Sequence, residues 1–205
     1  MAKKESLVKL SISLFLITVI AAIGLAAIYS ITKAPIEKSQ SAKKEMAISS
    51  VLPKFKGDLQ QISIMPESGK DSVIVYLAYE GDQLFGGAVE TYTDKAFSGT
   101  FSLMVGFDSA GNILGTEVLK MAETPGLGDK IDKKKATFSN QFVGKNPTSF
   151  NLKVTKDGGD VEAITAATIS SRAFCDAVER AHSSFLKAKK ESLWHLCLCG
   201  YAYLQ

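Results

Sequence analysis

Cysteine and histidine are scarce, with 3 and 2 in 205 residues. Cys175 falls in a late helical stretch and reads as a small core residue. Cys197 and Cys199 are one residue apart, too close for an ordinary bridge and without the partners of a zinc site. His182 and His195 have no ligand spacing and are expected at a surface or a helix end. These patterns offer no metal site. Strong charge of one sign is also missing: the formal net charge is +3, and no dense Lys/Arg run carries interleaved aromatics. A nucleic-acid partner is thereby excluded. Solenoid-type repeats and low-complexity segments are absent. Most tellingly, no charged residue occurs between Lys9 and Lys33.

That uncharged stretch contains residues 10–31, about 22 residues and long enough to cross roughly 30 Å of hydrocarbon as a helix. A secretory signal has a shorter apolar region, and here the Ala-x-Ala-like options around Ala21 to Ala27 fall inside the run. An uncleaved signal anchor is expected. Lys3, Lys4 and Lys9 precede the span, and Lys33, Lys38, Lys43 and Lys44 follow it. The positive-inside count is therefore close to a tie and sets no orientation.

Pro35 suits a first helical turn, so a second helix is expected over residues 36–52, stopped by Pro53. Its sparse apolar residues (Ala42, Met46, Val51, Leu52) leave open whether it is a stalk or a packed element. Strands follow at residues 73–79, 84–93, 101–108 and 113–120, separated by turn signals at Gly81-Asp82 and at residues 109–112. Short strands with tight turns indicate an antiparallel sheet. Gly86-Gly87 marks a bulge or a close backbone approach. Residues 132–142 are expected to form a helix, with Phe138 and Phe142 four apart. Residues 150–154 are a candidate strand, and residues 157–160 a turn. Phe174, Val178, Ala181 and Phe185 step along one face of a closing helix that runs to about Lys190. An apolar tail, residues 193–205, ends the chain. The fold class is α+β.

Two stretches carry chemistry. In Glu123-Thr124-Pro125-Gly126-Leu127-Gly128-Asp129-Lys130, Pro125-Gly126 sets a tight turn. Gly128 admits positive φ or the close approach of a ligand, and Glu123 and Lys130 flank the loop. Such a loop can lay backbone N–H groups and the Leu127 side chain against a flat ring; it can equally be a plain strand-to-helix connection. The second stretch is Glu162-Ala163-Ile164-Thr165-Ala166-Ala167-Thr168-Ile169-Ser170-Ser171. It puts Thr168 beside a helix N-terminus, where free N–H groups and the helix dipole favour a phosphate. Ala166 and Ala167 leave room for a bulky ligand. The plainer alternative makes Thr168 or Ser170 an N-cap.

Together, in this order and behind an anchor, the two stretches resemble the flavin-binding domain of the Rnf complex G subunit. The C subunit of the sodium-pumping quinone reductase is similar. The resemblance covers nearly the whole chain up to about Ser192. It implies a membrane-anchored electron carrier, one subunit of an ion-pumping ferredoxin:NAD oxidoreductase, with FMN joined through its phosphate to Thr168 by a flavin transferase. It implies that Glu162, Ala163, Thr165, Ala166, Ala167, Ser170 and Ser171 form the rest of the attachment site. The ring would lie against Thr124, Pro125, Gly126, Leu127 and Gly128, with the flanking Glu123 and Lys130 also counted in the cofactor-binding site. It also implies an anchor over residues 1–32 with a cytoplasmic N-terminus, an extracytoplasmic FMN-binding domain over 33–192, and other proteins of the complex as partners in the membrane. The sequence departs from the family pattern where Glu162 replaces Asp, Thr165 replaces Ser and Ala166 replaces Gly. Ala166 accepts positive φ only at a cost. Two readings of another class remain: an exported binding domain without cofactor, and a membrane-attached scaffold that docks through its tail.

Overall fold

A computed structural model describes residues 7–52, 55, 57–81 and 83–202, with side chains to Ser192. The stop at Pro53, Asp82 of the first turn and the tail's side chains, including His195, Cys197 and Cys199, lie outside the described residues. The chain forms two compact units, residues 1–43 and 44–205.

The first unit is helical. Helix α1, Leu7–Val51, is a single element with Pro35 inside it, not two helices meeting at a proline. Proline removes one N–H and crowds the carbonyl four residues back. One lost bond is tolerated in a 45-residue helix. The apolar stretch of α1 is long and apolar enough to cross a membrane, with none of it buried.

The second unit holds the sheet. Strands β1 (Asp58–Ile64), β2 (Val73–Glu80), β3 (Gln83–Ala96), β4 (Gly99–Asp108) and β5 (Ile113–Lys120) lie in sequence order, each antiparallel to the next. Four were expected. β1 was not, because it is an edge strand whose residues are mostly exposed and show no apolar alternation. Both faces are covered. Val73, Val75, Leu77, Val89, Phe101, Leu103, Val105 and Phe107 face helix α2 (Thr168–Ala202), on which Phe174, Val178, Ala181 and Phe185 are fully buried. The alternate residues Ala78, Ala88 and Met104 face Ala47, Val51 and Leu52 from the end of α1. That end is therefore a packed element.

Gly86 and Gly87 are close approaches. A Cβ on the first would strike the Phe107 carbonyl, and one on the second would lie 2.8 Å from the Phe185 ring. The β2–β3 register also shifts beside Gly86.

Residues 132–142 form turns and a 3₁₀ helix, Phe138–Phe142, instead of the expected α-helix. Three successive lysines are drawn to tertiary partners there. Lys133 and Lys134 each lie 2.7 Å from Glu117, and Lys135 lies 2.8 Å from Asp129. Burial would raise the Glu117 carboxyl, but the two ammonium groups outweigh it and hold it below the usual range. Phe138 and Phe142 still meet, edge to face at 5.6 Å. Residues 150–154 form no strand; Val154 makes one isolated parallel bridge with Val161. The closing helix continues past Lys190 to Ala202. Cys175 is buried, which pushes its thiol up to about 12. His182 is also buried, against the Phe107 ring at 5.6 Å, rather than at a surface.

Candidate functional site

The two chemical stretches meet. A pocket of about 310 Å³ is lined by Glu123, Thr124, Leu127 and Gly128 from the first and by Ala166, Ala167, Thr168, Ile169 and Ser170 from the second. Phe97, from the turn between β3 and β4, completes it. That volume is at the lower end of small-molecule sites.

The first loop turns as Pro-Gly predicts. Gly126 has φ +79°, and the Leu127 N–H donates to the Thr124 carbonyl at 3.2 Å. The Asp129 N–H is spent on the same carbonyl at 3.5 Å, so two of the loop's N–H groups turn back on the loop. Gly128 is required for a different reason than ligand approach. A Cβ there would run into Glu123 Oε2 and lie 2.6 Å from Ser170 Oγ. Pro125, Gly126 and Lys130 are exposed and outside the pocket lining. The Lys135 ammonium holds the neighbouring Asp129 carboxyl below its ordinary value.

The second loop is shaped by its own hydroxyls. Ser171 Oγ–H donates to the Ala167 carbonyl at 3.0 Å, and the Ile164 N–H donates to Ser171 Oγ at 3.0 Å. Ser170 Oγ–H donates to Glu123 Oε2 at 2.5 Å, and Glu123 Oε1 accepts the Ser98 N–H at 3.0 Å. Glu123 and both serines are buried. Glu162 is exposed, and its backbone is held by Gln141, which accepts its N–H at 2.8 Å and donates to its carbonyl at 3.2 Å. Glu162, Ala163, Thr165 and Ser171 do not line the pocket. Arg172 forks onto Asp157 at 2.7 and 2.8 Å, fixing the first turn of α2 against residues 155–157.

Ala166 has φ +63°, the only non-glycine among the described residues with positive φ. The turn into α2 thus needs the left-handed conformation that a glycine adopts without cost.

Thr168 is the first residue of α2. Neither it nor Ser170 caps the helix. Ser170 is committed to Glu123, and the first intrahelical bond, Ser171 N–H to the Ala167 carbonyl, makes Ala167 the cap residue. Thr168 is half-buried and lines the pocket, and its hydroxyl bonds to no described residue. The N–H groups of Thr168, Ile169 and Ser170 likewise have no acceptor among the described residues. At the helix end the site therefore presents the free Thr168 hydroxyl, three open N–H groups and the positive end of a long helix, suited to a phosphate; the other unbonded hydroxyl of the lining, Thr124, belongs to the first loop. Leu127, Ile169 and Phe97 stand exposed at the rim, suited to an apolar ring. The residues present fit a phosphorylated flat ligand. Phe97 and Gln141 were not foreseen from the sequence. An aromatic residue at the first position of the turn Phe97-Ser98 was the available signal for the first, since tight turns favour small polar residues.

The FMN-binding domain family matches residues 97–183 of this chain. Three relatives are each named as the G subunit of an ion-translocating oxidoreductase complex. That of Salmonella typhi is 34% identical over 183 residues, 85% of this chain and 88% of its own. That of Escherichia coli (strain K12) is 35% identical over the same shares. That of Aliivibrio fischeri (strain ATCC 700601 / ES114) is 35% identical over 206 residues, 96% of this chain and 95% of its own.

Proposed function

The chain belongs to the family of G subunits of ion-translocating oxidoreductase complexes, and we propose that it is a membrane-anchored electron-transfer protein with FMN held covalently on Thr168. The observation that supports this best is the free Thr168 hydroxyl. Of the second stretch's four hydroxyls, Ser170 and Ser171 are buried and engaged, and Thr165 is outside the pocket. Of these four, only Thr168 lines the pocket uncommitted.

In this reading a flavin transferase takes the FMN phosphoryl from an activated flavin nucleotide: the Thr168 oxygen forms a bond to phosphorus, the phosphoanhydride P–O bond of the donor breaks, and the departing nucleotide phosphate carries off the hydroxyl proton. Thr168 is a tether, used once. The phosphate charge is favoured by the open N–H groups of Thr168, Ile169 and Ser170, a helix-end effect of typically about 0.3–1 kcal/mol. Small Ala166 and Ala167 admit the group, and Leu127 and Ile169 shed water from its apolar part. When bound, the flavin supplies the one- and two-electron chemistry; the protein supplies placement and electrostatics. Residues 1–32 serve as a single-pass anchor with the N-terminus cytoplasmic, and residues 33–192 carry the FMN domain outside. Electrons arrive from one component of an ion-pumping ferredoxin:NAD oxidoreductase and leave to another, so the isolated chain turns over little.

The test is a denaturing gel viewed under ultraviolet light, with protein from cells that supply the transferase. A fluorescent band is expected, together with a mass gain of one FMN less one water on the peptide holding Thr168. Thr168→Val abolishes both. A band that survives the substitution, or a bare Thr168 in the native assembly, overturns the proposal.

A further inference from the structure

Outside the N-terminal apolar run, Phe97 is the one exposed phenylalanine among the described residues, at 68%. It occupies, with Ser98, the two-residue turn between β3 and β4. The turn does not need it: Gly99, at φ +101°, supplies the unusual backbone, and polar residues serve such turns better. A ring left in water forgoes the gain of burial. Yet this ring lines the same pocket as Thr168.

The turn that carries it is tied down. Glu123 is buried at the pocket, and its two oxygens reach in different directions. Oε1 accepts the Ser98 N–H at 3.0 Å, at the tip of the hairpin. Oε2 accepts the Ser170 hydroxyl at 2.5 Å, in the first turn of α2. Gly128 lies flush against this pair, with no room for a Cβ. One carboxylate therefore joins the residue after Phe97 to the helix turn that bears Thr168.

We propose that Phe97 is the aromatic wall on which the flat ring of the bound flavin rests, and that Glu123 is the positioning residue that holds this wall opposite the tether. The inference rests on the reading of Thr168 as the flavin-bearing residue. An offset or edge-on contact between the phenyl and the tricyclic ring buries both apolar faces. Glu123 does not touch the ring; it acts through Ser98.

The test uses the full-length chain from transferase-containing cells, with flavin attachment confirmed by intact mass and ring exposure read by iodide quenching of flavin fluorescence. Phe97→Ala, at an exposed turn, keeps the fold and the flavin mass. It raises the quenching constant roughly fivefold, the change in the open-to-covered ratio that loss of one aromatic contact brings. Phe97→Trp keeps the mass and quenches the emission several-fold, because an indole touching the ring donates an electron to its excited state. Glu123→Ala behaves as Phe97→Ala. Glu123→Gln stays near wild type, since an amide can accept from Ser98 and donate to Ser170. A flavin-loaded chain whose fluorescence ignores both Phe97 variants overturns the wall. Response to Phe97 but not to Glu123→Ala overturns the positioning role. A wild-type chain without flavin mass overturns this inference together with the reading beneath it.

Discussion

At the scale of single residues the site turns on which hydroxyl is free. Position in the motif pointed to Thr168, but three other hydroxyls lie within six residues of it. The hydrogen bonds of Ser170 to Glu123 and of Ser171 to Ala167, and the place of Thr165 outside the pocket, separate these oxygens from the available one. Ala166 is the complementary case. Its departure from glycine was visible in the sequence, and its φ of +63° shows that the turn exacts the cost. A left-handed conformation costs a non-glycine residue about 1–2 kcal/mol, partly offset by the lower unfolded-state entropy of alanine compared with glycine. Ala166→Gly is therefore expected to stabilise the domain by roughly 0.5–1 kcal/mol in urea unfolding, without weakening the flavin attachment proposed at Thr168. A less stable glycine variant would contradict this. Phe97 was not legible, because nothing in a sequence says that a turn residue stands over a pocket.

At the scale of elements, α2 does two jobs. Its N-terminus shapes the site and its middle covers the sheet. His182 sits on that covering face, buried against Phe107, with Gly111 and Asn146 nearby and its Nε2 unpartnered. Burial alone depresses its pKa below the ordinary value of about 6.5. The folded state thus binds the proton less readily than the unfolded chain. Stability attributable to neutral His182 is fully present above about pH 6.5 and is lost as pH falls from there through the folded-state value. The urea midpoint of the wild type should drop between pH 7.5 and pH 5.5, and His182→Met should flatten that slope. An equal slope in both proteins would reject the assignment. The paired carboxylates Glu117 and Asp176 are held below their ordinary values, so their losses come at lower pH. α2 was legible from its four-three-four stepping. Residues 132–142 were misread because Glu117 and Asp129, the acids that draw the three lysines, are contributed by other segments.

At the scale of the whole molecule, the compact unit beginning at Lys44 includes the end of α1. Ala47, Val51 and Leu52 are buried on the sheet face opposite α2, a Cβ at Gly106 would strike the Val51 carbonyl, and Lys44 pairs with Glu90 at 2.9 Å. A chain starting at Lys44 should fold cooperatively, whereas one starting at Pro53 should lose roughly 3–5 kcal/mol, the upper range for those three side chains. Equal urea midpoints for the two would refute this. By itself the sequence determined the apolar span, four of the five strands, the closing helix and the two stretches of chemistry. Periodicity, turn residues and uncharged length are local properties, and each is written within a few neighbouring positions. Tertiary structure alone decided that the two stretches share a pocket, that Phe97 joins them, that Glu123 ties hairpin to helix and that the α1 end is core. Those facts depend on contacts between residues tens of positions apart, made only when the sheet brings its two faces and its hairpin tips into place.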